Sequence, residues 1–238
     1  MNWLTKLRRA FTTTKSDTML FPVENGKDLD FERLALFKTG FLQSFPLHDG
    51  QILRRVGSPH WAILLHFVCN GMYYGLRVDR APEPQPPGNS SVSLSSHDSS
   101  TMPSQALKNI GVSDRVTGYP PEAKAPWSDL PEGYSRICWL DLPPSHNITL
   151  LDVALGLSST HRYKPSYRLV GYNCRWLAKA VALALEQLAR RHQESSMEEW
   201  KQHQELFFER TRCVDPKKKQ LVRKAVAVVL RAYQEAVS

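Results

Sequence analysis

The 238-residue chain is 42% hydrophobic and 10% aromatic, a composition ordinary for a globular protein with one sizeable core or two small domains. Its four cysteines lie far apart without CxxC or Cys/His ligand spacing, which excludes a disulfide scaffold, argues against zinc and favours a reducing compartment. The formal net charge of +8 points to an acidic partner, and no apolar run is long enough to span a bilayer.

Residues 1–20 form a basic amphipathic segment. The first 15 residues contain no acid, and helical spacing places Trp3 and Leu7 on one side and Arg8 on the other. Such a segment is typical of a mitochondrial presequence or a membrane-surface anchor, but we favour a frayed and solvated N-terminus. We therefore expect an intracellular, cytoplasmic protein, with a mitochondrial or peripheral membrane location as the alternatives.

A helix and a hairpin are predicted next. Residues 31–45 have helical spacing and are expected to cover the core. Two apolar runs then flank Asn70-Gly71, a dipeptide in which both residues accept the positive φ of a type I′ turn. This pattern predicts strands at about 60–69 and 72–79.

Residues 81–105 have the composition of a disordered insertion. They are rich in Pro and Ser and nearly free of large apolar side chains, so they cannot bury enough surface to order themselves. The stretch 117–135 is also irregular, although its Trp and Tyr residues can pin it to the rest of the protein.

The second half of the chain is predicted to be mostly helical. The predicted elements are a strand at 136–142, a helix at 147–159, a strand at 166–172, an apolar helix from Asn173 through Leu188, a helix capped by Ser196-x-x-Glu199, and a helix entered by Asp215-Pro216. Because helices and strands do not alternate regularly, this order predicts an α+β fold rather than a βαβ fold.

A cysteine stands at the start of the apolar helix. Asn173 is a favourable N-cap residue, which places Cys174 in the first turn, where the helix dipole supplies partial positive charge. A free thiol has a pKa of about 8.5, and such a position lowers it to roughly 3.5–7.5. The position therefore favours a nucleophilic thiolate, with a buried structural Cys174 as the alternative.

His60 is the candidate base for this thiol. On a strand His60 points to the same side as Ala62, and the two-residue turn pairs Ala62 with Asp79. Asp79 then lies diagonal to His60, about 7–8 Å away between backbones and within side-chain reach. A histidine oriented by a carboxylate and facing Cys174 is the general form of an activated thiol. His66 shares this face and is predicted to be satisfied by the sheet.

Two short segments of the sequence resemble motifs of a known superfamily. "HWAILL" (60–65) and "YRLVGYNCRWLA" (167–178) are similar to signatures of the circularly permuted papain-like fold, which includes lecithin:retinol acyltransferase-like and PPPDE-type proteins. The resemblance implies an α+β domain in which the histidine comes from an antiparallel sheet and the cysteine heads a packing helix. It also implies thiol chemistry on an ester, thioester or amide through an acyl-enzyme, with His60 matching the base and Cys174 the nucleophile.

The chain also departs from the acyltransferase-like members. Those members have a second histidine after the first hairpin turn, whereas this chain reads "MYYGLRVD" at 72–79. The assignment of Asp79 comes from the pairing geometry and not from the family. Arg175 and Trp176 stand where those members commonly have Glu-His, and both differences leave the substrate open.

The predicted organisation is a permuted papain-like core at 28–80 and 106–192 with a C-terminal helical extension at 195–238. The leading hypothesis is a thiol hydrolase, acyltransferase or peptidase acting on an acyl or peptide-like substrate, with Asn173 as the N-cap beside oxyanion-binding helix-start amides and no metal or other cofactor. One alternative is a catalytically silent papain-like module that binds anionic membrane surfaces. Nucleic-acid binding through the basic residues 217–219 is the least favoured, because no recognisable module accompanies them.

Overall fold

The computed structural model describes residues 45–82, 110–122, 130–164, 166–167, 173–191 and 196–237. Within these ranges the chain has an α+β fold, in which an antiparallel sheet packs against helices. In chain order the elements are β1 Leu47–Arg55, β2 Trp61–Cys69, β3 Met72–Pro82, β4 Ile110–Glu122, β5 Tyr134–Trp139, α1 Leu150–Tyr163, β6 Ser166–Tyr167, α2 Cys174–Arg190, α3 Met197–Arg210 and α4 Pro216–Val237.

The strands follow the spatial order β5-β1-β2-β3-β4-β6. Asn70 and Gly71 have φ values of 52° and 74°, so the two-residue turn between β2 and β3 forms as the dipeptide predicts. The same turn fixes the register, and Ala62 pairs with Asp79 as expected. The hairpin is therefore confirmed both in its position and in its pairing.

Helix α2 lies in the main hydrophobic core. Its residues Val181, Leu183 and Leu185 are at most 1% exposed, because the sheet covers one side of the helix and α1 and α4 pack on others. Burying each such side chain stabilises the fold by roughly 1.5–3 kcal/mol. Phe207 of α3 and Val226 of α4 belong to the same buried cluster, so the C-terminal helices share the core of the sheet.

A buried polar cluster ties α2 to α3. Glu186 of α2 is fully buried, and its carboxylate accepts hydrogen bonds from Arg210 Nη2 at 3.1 and 3.2 Å and from the backbone N–H of Asp141 at 2.9 Å. His203 Nε2 lies 2.6 Å from the same carboxylate. A buried carboxylate needs partners of this kind, because the free-energy cost of removing its charge from water is otherwise not compensated.

The two faces of the sheet bury different residues. Trp61 and Ile63 belong to the main core with α2, whereas Ala62 and Leu64 form a small cluster with Leu53 on the opposite face. Since side chains alternate along a strand, Asp79 lies on the Ala62 side of β3. The faces matter for the site, because α2 and Asp79 are on different sides of the sheet.

Three predicted helix starts are confirmed, whereas the helix predicted at 147–159 is α1, which begins at Leu150 after the N-cap Thr149. Asn173 caps α2, Ser196 and Glu199 form a reciprocal capping box at α3, and Asp215 accepts hydrogen bonds from the first backbone N–H groups of α4. These positions were predictable because each depends on a few neighbouring residues.

Several strand predictions need correction. Residues 81–82, assigned to the disordered insertion, belong to β3, and residues 117–122, described as irregular, belong to β4. The pairing of β3 with β4 supplies hydrogen bonds that outweigh the poor strand propensity of the Pro and Gly residues there. β1 was not predicted, and the predicted strand at 136–142 is β5, Tyr134–Trp139.

Some predictions lie outside the described residues. These are the basic segment 1–20, the helix predicted at 31–45 except for Phe45, residues 83–105 of the insertion, and residues 168–172 of the strand predicted at 166–172, whose first two residues form β6. Phe45 lies in a bend and packs into the main core. None of the described helices combines the length and the apolar character that crossing a bilayer requires.

Candidate active site

The first turn of α2 places Cys174 at the end of the sheet. Asn173 Oδ1 accepts a hydrogen bond from the backbone N–H of Trp176 at 3.1 Å, which fixes the helix start at Cys174. The sulfur of Cys174 is buried and accepts a hydrogen bond from the backbone N–H of Trp61 at 3.4 Å. The start of α2 and the start of β2 are thus joined through the thiol itself.

His60 bridges this thiol and a carboxylate. Its Nε2 atom lies 3.6 Å from Oδ1 of Asp79, slightly beyond ordinary hydrogen-bond length but within ion-pair range. The ring also lies near enough to Cys174 for each group to shift the pKa of the other. The three residues predicted to form the site, Cys174, His60 and Asp79, are therefore brought together.

The position of His60 explains how it reaches both partners. The sequence pattern predicted that His60 begins a strand, but β2 begins one residue later, at Trp61. From this place just before the strand, the imidazole contacts Cys174 at the start of α2 and Asp79 on the other face of the sheet. A histidine within β2 would face one side only, so the place of His60 outside the strand allows one ring to lie near both partners.

The environment shifts both ionisable groups toward a charged pair. The carboxylate of Asp79 and then the thiol of Cys174 raise the pKa of His60 to about 9, and they outweigh burial, which acts to lower it. Burial acts to raise the pKa of Cys174, but hydrogen bonds from His60 and from the backbone amides of Trp61 and Arg175 lower it overall. Together these shifts favour a thiolate facing an imidazolium.

Arg77 is a member of the site that the sequence did not reveal. Its Nε atom lies 3.6 Å from Oδ2 of Asp79, while its Nη1 and Nη2 atoms donate to Tyr119 Oη and Thr117 Oγ1, each at 3.1 Å. The guanidinium is thereby fixed to β4 and holds the second oxygen of Asp79. The spacing of two residues between Arg77 and Asp79 on β3 was the available signal, since it places both on one face.

The other histidine and cysteine residues of the sheet differ from this pair. His66 is buried, and its Nδ1 atom lies 2.7 Å from Oδ1 of Asp49, so the sheet satisfies it as predicted. Burial raises the pKa of Cys138 to about 11, more than the nearby Arg210 lowers it, which keeps that thiol protonated. The pKa of Cys138 is therefore shifted in the opposite direction to that of Cys174.

A pocket of about 410 Å³ is lined by chain neighbours of His60 and Cys174. Its wall includes Pro59 and Trp61, which flank His60, and Asn173 and Arg175, which flank Cys174. We call it the basic pocket, and its remaining lining residues are Arg54, Ile137, Trp176, Lys179, Arg212, Cys213, Lys218, Leu221 and Val222. The chain neighbours of both residues thus line the pocket, but neither Cys174 nor His60 is among its lining residues.

We identify the candidate site from the arrangement of Cys174, His60 and Asp79. In the part of the chain that the structure describes, no group of three or more His, Cys, Asp or Glu residues is arranged to hold a metal ion. No family model, no curated protein and no solved structure matches the chain.

Proposed function

We propose that the chain is a thiol-dependent hydrolase or acyltransferase that acts on an ester, thioester or amide through an acyl-enzyme on Cys174. The single observation that carries the proposal is the place of His60, whose imidazole lies 3.6 Å from Asp79 and near enough to Cys174 to lower the pKa of its thiol. A nucleophile, a base and a group that orients the base are the parts that covalent acyl transfer requires.

The acylation step follows from this arrangement. The Cys174 thiolate attacks the carbonyl carbon of the substrate, forming a C–S bond while the carbonyl oxygen takes up negative charge. As the tetrahedral intermediate collapses, the bond to the leaving group breaks, and the imidazolium of His60 donates its proton to that group. The backbone amides at the start of α2 are the nearest candidates to stabilise the oxyanion.

Deacylation uses the same residues in reverse. Neutral His60 removes a proton from water or from an acceptor nucleophile, which attacks the thioester carbon and releases Cys174 as a thiolate. His60 is then protonated again, so that the starting ion pair is restored. Asp79 keeps the ring in one orientation through both steps, and Arg77 keeps Asp79 in place.

The proposed fold family is the circularly permuted papain-like superfamily. Support comes from the chain order, in which the histidine precedes the cysteine, and from the architecture, in which His60 adjoins a central antiparallel strand. Cys174 heads a helix that packs on that sheet, as the superfamily resemblance implies.

Acylation by a small activated ester tests the function. The native chain is incubated with p-nitrophenyl acetate, quenched and measured by intact-mass spectrometry, and the modified residue is located by peptide mapping. We expect one acetyl group on Cys174, no such group in Cys174→Ala, and unchanged labelling in Cys138→Ala. Equal labelling of the native and Cys174→Ala chains would overturn the proposal.

A further inference from the structure

The basic pocket is lined by two nucleophilic side chains that acyl transfer at Cys174 does not use. They are the amine of Lys179, on α2, and the thiol of Cys213, between α3 and α4. Lys179 is 3% exposed and Cys213 is 5% exposed, so each group is shielded from bulk solvent. The cavity nevertheless gives a small reagent access to both groups at once.

One face of α2 is held against Trp61 and against the segment that follows α3. Arg175 and Lys179 are four residues apart and therefore lie on the same face of the helix. The guanidinium carbon of Arg175 lies 4.7 Å from the centre of the Trp61 ring, and the Nζ atom of Lys179 lies 5.3 Å from it. Arg175 Nη2 also donates to the backbone carbonyl of Arg212 at 3.0 Å. The face that carries Lys179 thus contacts the residue before Cys213.

The turn after α3 fixes the backbone of Cys213. Its N–H donates to the carbonyl of Phe208 at 2.7 Å, and the N–H of Arg212 donates to the carbonyl of Glu209 at 2.9 Å. Arg212 has a φ of 50°, the left-handed conformation in which a helix commonly ends with this pair of hydrogen bonds. The turn therefore holds Cys213 in a defined position in the wall of the pocket.

The amine of Lys179 loses its proton more readily than that of an exposed lysine. Burial lowers its pKa to about 8, the nearby thiol of Cys213 opposes this effect, and the charge of Arg175 adds to it. Since the thiol has the largest influence after burial, the ends of the two side chains lie close together. A lower pKa leaves more of the amine neutral, and only the neutral amine has a lone pair that can attack an electrophile.

We propose that peroxide joins Lys179 to Cys213 by a reversible covalent bond between the Nζ and Sγ atoms. The geometry supports this bond, because the face of α2 that carries the amine is held against the turn that carries the thiol, and both groups line one cavity. The bond ties α2 to the segment between α3 and α4. It is a modification site separate from the acyl-enzyme on Cys174.

The bond forms in two steps. Hydrogen peroxide oxidises the Cys213 thiol to a sulfenic acid and is itself reduced to water. The neutral amine of Lys179 then attacks the sulfur, so that an N–S bond forms while the S–O bond breaks, and the oxygen leaves as water with a proton from the amine. Two molecules of a thiol reductant reverse the change, because their oxidation to a disulfide restores the free amine and the free thiol.

Intact-mass spectrometry and peptide mapping after treatment with hydrogen peroxide test the proposal. The full chain carries Cys174→Ser, so that oxidation of the proposed nucleophile does not contribute. We expect the loss of two hydrogen atoms, a crosslinked peptide pair that contains Lys179 and Cys213, and a return to the starting mass after reduction with dithiothreitol. A disulfide from Cys213 to another cysteine, oxidised Cys213 beside unmodified Lys179, or no oxidation of Cys213 would overturn the proposal.

Two methionine variants show whether the crosslink depends on this amine. Lys179→Met keeps an unbranched side chain but removes the nitrogen, and we expect the crosslink to disappear. Lys218→Met removes an exposed lysine of the pocket wall, and we expect as much crosslinking as in the parent chain. Equal crosslinking in both variants, or equal loss in both, would contradict the pairing of Lys179 with Cys213.

A second probe needs no substitution of Lys179. The dialdehyde o-phthalaldehyde joins an amine and a thiol that lie close together into one fluorescent isoindole. We expect it to link Lys179 to Cys213 in the Cys174→Ser chain, and we expect earlier peroxide treatment to prevent the reaction, because the same two atoms are then already bonded. An isoindole found only at other lysines, or one that peroxide does not prevent, would overturn the proposal even where Lys179→Met fails to fold.

Discussion

The imidazole of His60 and the carboxylate of Asp79 face each other at one end of the β2–β3 hairpin, with Nε2 3.6 Å from Oδ1. The relation follows from the pairing of Ala62 with Asp79, which places the carboxylate diagonal to the residue that precedes β2. Because the same imidazole contacts Cys174, the orientation of His60 connects the sheet to the start of α2. Removing either member of this pair should therefore change the chemistry of the thiol.

Replacement of His60 should remove the base. We expect His60→Gln to slow the hydrolysis of p-nitrophenyl acetate by about 10²–10⁴-fold, the usual contribution of a positioned acid or base. Initial rates of p-nitrophenolate release measure the change. His161→Gln is the control, since His161 lies in α1 and is not among the groups that chiefly shift the pKa of Cys174. A rate in His60→Gln equal to that of the native chain would contradict the role given to His60.

Replacement of Asp79 should shift the reactivity of Cys174 to higher pH. Without the carboxylate, the pKa of His60 falls from about 9 toward 6.5, so the imidazolium stabilises the thiolate less and the pKa of Cys174 rises. Each unit of that rise leaves roughly tenfold less thiolate at neutral pH. The pH profile of alkylation by iodoacetamide measures the effect in Asp79→Asn.

Asp49→Asn is the matched control for this experiment. Asp49 also holds a histidine of β2, His66, at 2.7 Å, and neither residue is among the groups that chiefly shift the pKa of Cys174. We expect the alkylation profile of Cys174 to stay unchanged in Asp49→Asn. Identical profile shifts in the two variants would mean that general charge, and not the His60 contact, sets the reactivity.

The ion pair should also make stability depend on pH. The pKa of His60 is raised in the folded chain to about 9 from an ordinary value of 6.5. Its contribution to the free energy of unfolding is therefore complete below about pH 6.5 and is lost as the pH rises through about 9. Urea unfolding is measured for the Cys174→Ser chain and for the same chain with His60→Gln added. The difference between the two isolates the contribution of the His60–Asp79 pair to the free energy of unfolding.

We expect His60→Gln to destabilise the Cys174→Ser chain more at about pH 6.5 than above pH 9. The serine background is used because the thiol and the imidazole titrate as a coupled pair in the native chain. A destabilisation that is constant over this range would show that His60 stays neutral in the folded protein.

The buried cluster around Glu186 should contribute more to stability than an exposed ion-pair group. Truncation by Glu186→Ala leaves Arg210 and His203 without their buried carboxylate, and we expect a loss of about 3–5 kcal/mol. Glu205→Ala removes an exposed carboxylate that binds Lys219 and should cost about 1 kcal/mol or less. Urea denaturation of both variants measures the difference, and equal losses would contradict this account.

The features that could be predicted from the sequence depend on neighbouring residues. Asn70-Gly71 specifies a turn by its own φ preferences, and the turn then fixes which residue of β3 lies opposite Ala62. Likewise, Asn173 caps α2 through a hydrogen bond to a backbone amide three residues later. Local rules of this kind are sufficient to predict that His60 and Asp79 lie within side-chain reach of each other.

The features that were missed depend on contacts between distant segments. β4 contains Gly and Pro and has poor strand propensity, yet it pairs with β3 along most of its length. Arg77 belongs to the site because β4 supplies Tyr119 and Thr117 to hold it. The basic pocket likewise requires β1, α2 and α4 to meet, which no spacing within a single segment indicates.

The ultraviolet absorbance of the Cys174 thiolate tests the central claim most directly. Subtracting the pH titration of the Cys174→Ser chain from that of the native chain isolates the signal of this one sulfur. The account predicts that the thiolate titrates clearly below the free-thiol pKa of about 8.5 and that His60→Gln moves this transition upward. A transition at or above that value in the native chain would contradict the thiolate–imidazolium pair on which the proposed function depends.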